Sequence, residues 1–229
     1  MKPSPLLVID NALDHDFYRP LGHWTAAAGF APDCVHPVSG QALPEPGLHR
    51  AVILTGSEAS ICERAPWAEA EAAWVREAAR RGARILGSCW GHQLIAYAFA
   101  GPRAVRRSAT PEFGWLEVQV DCADELLPAA PFACWVSHFD EVVPGCHPEL
   151  QLLARSPGCA VQALRWGALA VWGVQAHPEV GPEEGAGFLR GSISRWPAQR
   201  ADFERALAGP VRDSRVAPAL VKRLLGERR

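Results

Sequence analysis

The residues of this chain best suited to chemistry are a cysteine held between two glycines and a histidine closely followed by an acid. The cysteine lies in "RILGSCWGHQLIAYAFAG" (84–101), where Gly87-Ser88-Cys89-Trp90-Gly91 separates an apolar run from a helix-like stretch. Glycines at 87 and 91 permit a tight turn with little side-chain hindrance. A sharp strand-to-helix turn is the geometry of a nucleophile elbow. It raises the reactive atom above the sheet and points the next N–H, here that of Trp90, towards the oxygen of an attacked carbonyl. A helix N-terminus also favours a thiolate. A buried cysteine in a Gly-rich turn fits the same residues, and the local pattern leaves both readings open.

A nucleophilic cysteine needs a base, and the base needs an orienting group. The histidines are His15, His23, His36, His49, His92, His138, His147 and His177. His92 is near in sequence, but at the start of the same helix it is expected to point away from the thiol. In "VWGVQAHPEV" an apolar strand (170–174) ends in Gln175-Ala176-His177-Pro178-Glu179. A histidine at a strand end with a carboxylate two residues later can bring both into one site, the acid fixing the imidazole's tautomer and orientation. Alone, "HPE" reads as readily as a surface His-Glu pair; beside the elbow it gains weight.

The elements that must position these groups are those of an α/β protein. "LLVID" (6–10), "AVILT" (51–55) and "ARILGS" (83–88) are continuous apolar runs, as in strands buried on both faces. Between them "FYRPLGHWTAAAG" (17–29) reads as a helix, "DCVHPV" (33–38) as a short strand and "PWAEAEAAWVREAARRG" (66–82) as a strong helix. Pro66 suits that helix's first turn, and Gly82 stops it. Its apolar positions, Trp67 and Trp74 among them, fall at helical spacing and predict core packing rather than a binding platform. This alternation implies a parallel sheet. Segments 114–120, 132–139, 151–156, 159–166 and 168–177 then read as strands with short turns that extend the sheet antiparallel, with a hairpin around Gly167. From about Pro182 the chain turns helical, and "VKRLLGERR" is expected to be a solvated helix terminus. We read one domain over 1–229.

Length, charge and cysteines bound the function classes. The 229 residues can bury a substantial core, and a formal charge of −2 argues against a nucleic-acid surface. The first apolar run is too short for a signal peptide, and no run approaches bilayer length, so a cytoplasmic location is expected. Seven cysteines, spread without a C-x-x-C pair, speak against a disulfide framework and a compact zinc site.

"GSCWGHQLIAYAFAG" followed by "GVQAHPE" resembles the class I glutamine amidotransferase family, with its G-x-C-x-G-x-Q and Q-x-H-P-E patterns. The resemblance continues in "ILTGSEASICERAPW", "PEFGWLEVQV" and "VSHFDEVV", covering roughly residues 50–180. Within the family it looks most like stand-alone members similar to the glutaminase domain of GMP synthase. It implies a three-layer, flavodoxin-like α/β fold with a mixed, mainly parallel central sheet. Cys89 is then implied as nucleophile, His177 as general base and acid, and Glu179 as its orienting carboxylate. The N–H groups of Gly56 and Trp90 would form the oxyanion hole. Gln93 and the Ser137-His138-Phe139 segment would hold the glutamyl end, the latter largely through its backbone. Glu112, Trp115 and Asp140 match family positions but read better as structural contacts.

Two departures stand out: Ser88, where an aliphatic residue is usual, and Trp90, whose bulk is expected to reshape the pocket mouth. No metal or organic cofactor is implied. The reaction implied is hydrolysis of a γ-glutamyl amide through a cysteinyl thioester. Its alternatives are a glutaminase subunit feeding ammonia to a separate synthetase and a non-catalytic binding protein on the same fold. The partners expected are a small γ-glutamyl substrate and, where ammonia is passed on, that synthetase; neither nucleic acid nor membrane is expected.

Overall fold

A computed structural model describes residues 3–227. Its nine-stranded sheet has the order β2-β1-β3-β4-β9-β8-β7-β5-β6. The strands are β1 (Leu6–Ile9), β2 (Asp33–Val35), β3 (Ala51–Leu54), β4 (Arg84–Ser88), β5 (Val105–Val120), β6 (Phe132–Val142), β7 (Leu150–Arg155), β8 (Ala163–Trp166) and β9 (Val171–Val174). From β2 to β9 every pairing is parallel; from β9 to β6 every pairing is antiparallel. The extension predicted for the second half is therefore present. Gly167, with φ 50°, turns β8 into β9.

Strand alternation builds three layers. Leu7, Ile9, Val52, Leu54 and Ile85 face one side, where they pack with α2 (Pro66–Arg80) and α3 (Trp90–Ala100). Leu6, Val8, Ala51, Ile53 and Leu86 face the other, covered by α1 (Pro20–Ala28) and α6 (Ala217–Leu224). Both faces being buried explains why these strands read as unbroken apolar runs. A third cluster, with Tyr18, Trp135, Leu189 and Phe203, joins α4 (Pro182–Arg195) and α5 (Arg200–Ala208) to the β5–β6 ribbon.

Several boundaries differ from the sequence reading for identifiable reasons. The first helix begins at Pro20, which suits the first helical position, so residues 17–19 belong to the preceding turn. β5 starts nine residues earlier than expected, at Val105. Its polar stretch Arg106–Thr110 alternates weakly, and a register break between Arg107 and Glu112 interrupts the period-two signal. The C-terminal segment is not simply solvated. Leu220, Val221 and Leu224 are buried, and Arg223 donates to the carbonyls of Leu126 and Leu127. Residues 228 and 229 lie outside the described residues.

On the inner side of α2 sits a buried acid, Glu71, whose Oε1 accepts from Asn11 Nδ2 at 3.1 Å. Burial pushes its carboxyl up to about 8, against the smaller opposing effect of the Asn11 hydrogen bond. The folded chain therefore keeps a proton that the unfolded chain loses above the ordinary glutamate range. Stability should fall as pH rises from about 4.5 to about 8, by an amount on the order of a few kcal/mol. Glu71→Gln should flatten that slope in urea titrations across this pH window; an unchanged slope would mean that Glu71 ionises freely in the fold.

Candidate functional site

The site forms where β4 and β9 end side by side. Their parallel register sets Ser88 against Val174, so the residues that follow each strand emerge together. Cys89 comes next on β4 and caps α3, with φ 48° and ψ −103°. A non-glycine backbone in this region costs about 1–3 kcal/mol and persists only where its surroundings enforce it. Here the Cys89 N–H donates to the Val174 carbonyl at 2.8 Å, and the Cys89 carbonyl accepts from Gln93 N–H at 3.1 Å. The turn also needs two glycines. A Cβ on Gly87 would lie 2.4 Å from the Gly91 carbonyl carbon, and one on Gly91 would lie 2.3 Å from the Leu54 carbonyl oxygen.

Beyond β9, His177 is fixed by its own N–H, which donates to the Trp135 carbonyl at 2.7 Å. Its ring meets Glu179, with Nδ1 2.9 Å from Oε1. The Glu179 side chain is fully buried yet well supplied with donors. Tyr18 O–H donates to Oε1 at 2.5 Å, and Ser88 O–H lies 3.0 Å from Oε2. Burial alone would raise the Glu179 carboxyl. The adjoining His177 charge and the hydrogen bonds from His177 and Tyr18 hold it below the usual carboxylate range. For His177, burial disfavours charge, but the negative charges of Cys89 and Glu179 and hydrogen bonds to both raise it to about 10. A thiol, an imidazole and a buried carboxylate so arranged can transfer a proton and carry an acyl group.

Cys89 and His177 face a cavity of about 720 Å³. The Cys89 thiol lies 3.7 Å from the Ser137 carbonyl, and the Gln175 amide nitrogen lies 3.6 Å from its sulfur. Gly56 borders the same spot: a Cβ there would stand 2.6 Å from His177 Cε1. Trp90 supplies the first N–H of α3, which has no acceptor within the helix. Its indole is buried and stacks on Trp67, with ring centroids 4.8 Å apart. Trp67 is half-buried and packs against the core as expected, and it also lines the cavity. Trp74, by contrast, is buried as predicted.

The remaining predicted residues divide. Ser137 and Phe139 are half-buried and line the cavity. Gln93 also borders it, but its amide nitrogen already donates to the Asp140 carbonyl at 2.8 Å and to Gln175 at 3.2 Å. Only its carbonyl oxygen is left for a ligand. His138 borders the cavity too, but its ring spans from the Asp140 carbonyl to Glu112, at 3.1 and 3.3 Å, so its nitrogens are engaged. Glu112 accepts in turn from Ser156, Gly158 and Gln162, which bears out its structural reading. His92 is wholly buried against Gly173, and burial lowers its imidazole to about 3. It is not a cavity residue.

Sequence reasoning missed Tyr18 and gave Ser88 no role. Tyr18 lies 161 positions from its carboxylate, and no local pattern connects them. Ser88 did carry a signal, as a hydroxyl in an otherwise apolar strand end. Also missed was the aromatic wall in which Phe17 faces Phe188 and Phe139 faces Trp196, with centroids 5.5 Å apart in both pairs. Among the described residues, two groups of side chains have the donor types to hold a metal ion: Asp10, His15 and His36, and Glu112, His138 and Cys159.

The strand-end cysteine turn and the His-Glu pair beside it sit on a mixed sheet flanked by helices, the arrangement of an α/β protein. Residues 51–192, more than half of the chain, match the family described as "Glutamine amidotransferase class-I", and the chain belongs to that family. It is 40% identical over 146 residues to a glutamine-hydrolysing GMP synthase from Aeropyrum pernix, covering 62% of this chain and 26% of that protein. To one of the subunits of the glutamine-hydrolysing GMP synthase from Pyrococcus furiosus it is 41% identical over 109 residues, covering 46% of this chain and 56% of that relative. The chain thus spans about a quarter and about half of these two curated relatives. Two solved structures share the fold. A glutamine amidotransferase from Methylobacillus flagellatus gives a TM-score of 0.73 at 20% identity, covering 100% of this chain and 96% of that one. One from Thermotoga maritima gives 0.71 at 19%, covering 96% and 97%.

The glycine contacts give a direct test of how the turn is built. Gly91→Ala should destabilise the protein by at least about 1–3 kcal/mol, because the new methyl meets backbone rather than a flexible side chain. Urea unfolding would show this as a lower midpoint with an unchanged slope. Gly22→Ala, whose Cβ meets nothing within 4 Å, should not lower the midpoint.

Proposed function

We propose that the chain hydrolyses a γ-glutamyl amide, either glutamine or a γ-glutamyl peptide or conjugate, through a cysteinyl thioester. The observation that carries this reading is the thiol of Cys89 and the imidazole of His177 on one cavity, with Glu179 bonded behind the ring. In the reading, the Cys89 thiolate attacks the γ-carbonyl, and the oxyanion sits between the N–H groups of Trp90 and Gly56. Each such donor is worth a factor of about 10²–10³. Protonated His177 gives its proton to the leaving nitrogen, and the amine departs as the C–N bond breaks. His177 then takes a proton from water, which attacks the thioester and releases glutamate and the free thiol. Glu179 holds the ring so that the other nitrogen faces the thiol, and Tyr18 and Ser88 hold Glu179.

For the glutamyl end we assign the backbone of Ser137, His138 and Phe139, with the Gln93 oxygen as acceptor for the α-ammonium group. The unit acting here is taken to be one amidotransferase domain. A cytoplasmic setting suits its free cysteines, since thiols persist in reducing compartments. Among the described residues no helix is long and apolar enough to cross a membrane.

A second reading has specific support. Relatives named as one of the subunits of a glutamine-hydrolysing GMP synthase point to a chain whose ammonia passes to a separate synthetase. The wide, aromatic-walled cavity instead favours a bulky leaving amine and action without a partner.

Purified protein offered glutamine, γ-glutamyl peptides and γ-glutamyl anilide, with glutamate and ammonia release followed, separates these readings. Faster turnover of the bulky substrates supports the free-standing hydrolase, and slow turnover confined to glutamine supports the ammonia-supplying role. Cys89→Ser and His177→Ala should each lower kcat by about 10³-fold or more, and Glu179→Gln by at least about 10²-fold, with folding intact. If no substrate releases glutamate and a glutamine-analogue diazo-ketone leaves Cys89 unlabelled, the catalytic reading falls.

A further inference from the structure

We propose that Asp10, His15 and His36 form a binding site for a divalent transition-metal ion of the zinc class, at the ends of β1 and β2. The strand register brings the first two elements together. Ile9 pairs with Val35, so Asp10 and His36 follow at matched positions on adjacent parallel strands, and the Asp10 N–H donates to the Val35 carbonyl at 2.9 Å. His15 reaches back from the loop between β1 and α1, with Nε2 3.0 Å from Asp10 Oδ2. Its ring centroid lies 4.6 Å from that of His36.

One donor atom from each residue lies within 4.8 Å of the others. Two ligands about 2.0–2.2 Å from one ion stand at most about 4.4 Å apart, so closing the site needs only a small movement. His15, about half exposed, can make it.

Two features separate this arrangement from an ordinary surface ion pair. Asp10 is buried, and its carboxylate is already aimed: Oδ1 accepts from Ala12 N–H at 3.1 Å, leaving Oδ2 turned towards His15. His36 is likewise held, with Nε2 2.8 Å from the Ala12 carbonyl. A His15–Asp10 pair alone would not bring a second imidazole to the same point. The other donor group, Glu112 with His138 and Cys159, makes the contrast. It is fully buried, and its oxygens and nitrogens are occupied by Ser156, Gln162 and the Asp140 carbonyl.

Two imidazoles and one carboxylate suit Zn²⁺, Co²⁺ or Ni²⁺ rather than Mg²⁺ or Ca²⁺, and three protein ligands leave a position open. The ion would fasten residues 10–15 to the end of β2. That loop continues into Tyr18, whose hydroxyl bonds Glu179, so metal occupancy would steady the contact behind the His177 ring.

Titration of the full chain with Co²⁺ alone tests the assignment. We expect one ion per chain, with visible bands of nitrogen and oxygen ligation and no sulfur-to-cobalt charge-transfer band. His15→Ala and His36→Ala should each weaken binding at least about tenfold, and zinc should raise the Tm of the parent but not of His15→Ala. Because His15 is exposed, an unchanged circular dichroism spectrum of His15→Ala separates lost binding from lost fold. No saturable binding below about 1 mM, equal affinity in His15→Ala, or a dominant sulfur band would overturn the site. Cys89→Ser should bind Co²⁺ like the parent, so this inference and the proposed hydrolysis can fail independently.

Discussion

The backbone of Cys89 is the constraint on which the rest of the site depends. Its φ of 48° and ψ of −103° are unfavourable for a side-chain-bearing residue, and the chain does not relax out of them. Three neighbours prevent that. The Val174 carbonyl holds the Cys89 N–H, Gly87 presses against the start of α3, and Gly91 presses against the Leu54 carbonyl. Strands β3, β4 and β9 and helix α3 therefore meet with no room for a methyl group. The apolar packing of the layers behind them supplies the free energy that keeps this joint closed.

The second constraint is electrostatic. A carboxylate as buried as that of Glu179 carries a desolvation penalty of several kcal/mol unless donors surround it. Tyr18, Ser88 and His177 provide them from three parts of the chain: the loop before α1, the end of β4 and the tail of β9. Against the opposing effect of burial, the Cys89 sulfur on one side and this carboxylate on the other draw the imidazole towards its protonated form, with a rise to about 10. Glu71 shows the opposite outcome in the same protein. It has one amide donor and no cation, and it is pushed up towards its neutral form. The two acids differ in their donors, not in their depth.

This difference explains what could be read from the sequence and what could not. Cys89, His177 and Glu179 were legible because each sits in a short segment whose glycines and strand end fix its direction locally. The parallel half of the sheet was legible for a similar reason, since strands covered on both faces leave unbroken apolar runs. Tyr18 and the Phe17–Phe188 and Phe139–Trp196 contacts join residues far apart in the chain, and no periodicity encodes such pairs. The early part of β5 escaped because its register break erases alternation. Trp67 packs on the core as its spacing predicts, but helical spacing reports which face a residue occupies, not that a cavity opens at that helix's first turn.

The antiparallel half of the sheet is more than an extension of the core. Trp135 on β6 accepts the His177 N–H, and Ser137, two residues on and hence on the same side of the strand, offers its carbonyl to the thiol. Gly185 of α4 lies so close to the Trp135 ring that a Cβ would stand 2.8 Å from it, which pins the strand from behind. The parallel strands thus set where the sulfur is, while the ribbon and the helix behind it set where the imidazole is. A shift of β6 by one residue would set a carbonyl that points to the opposite edge of the strand against His177 and remove its anchor. The distance between the thiol and the imidazole is therefore governed by the junction of the two halves, at β9, and not by the cysteine turn alone.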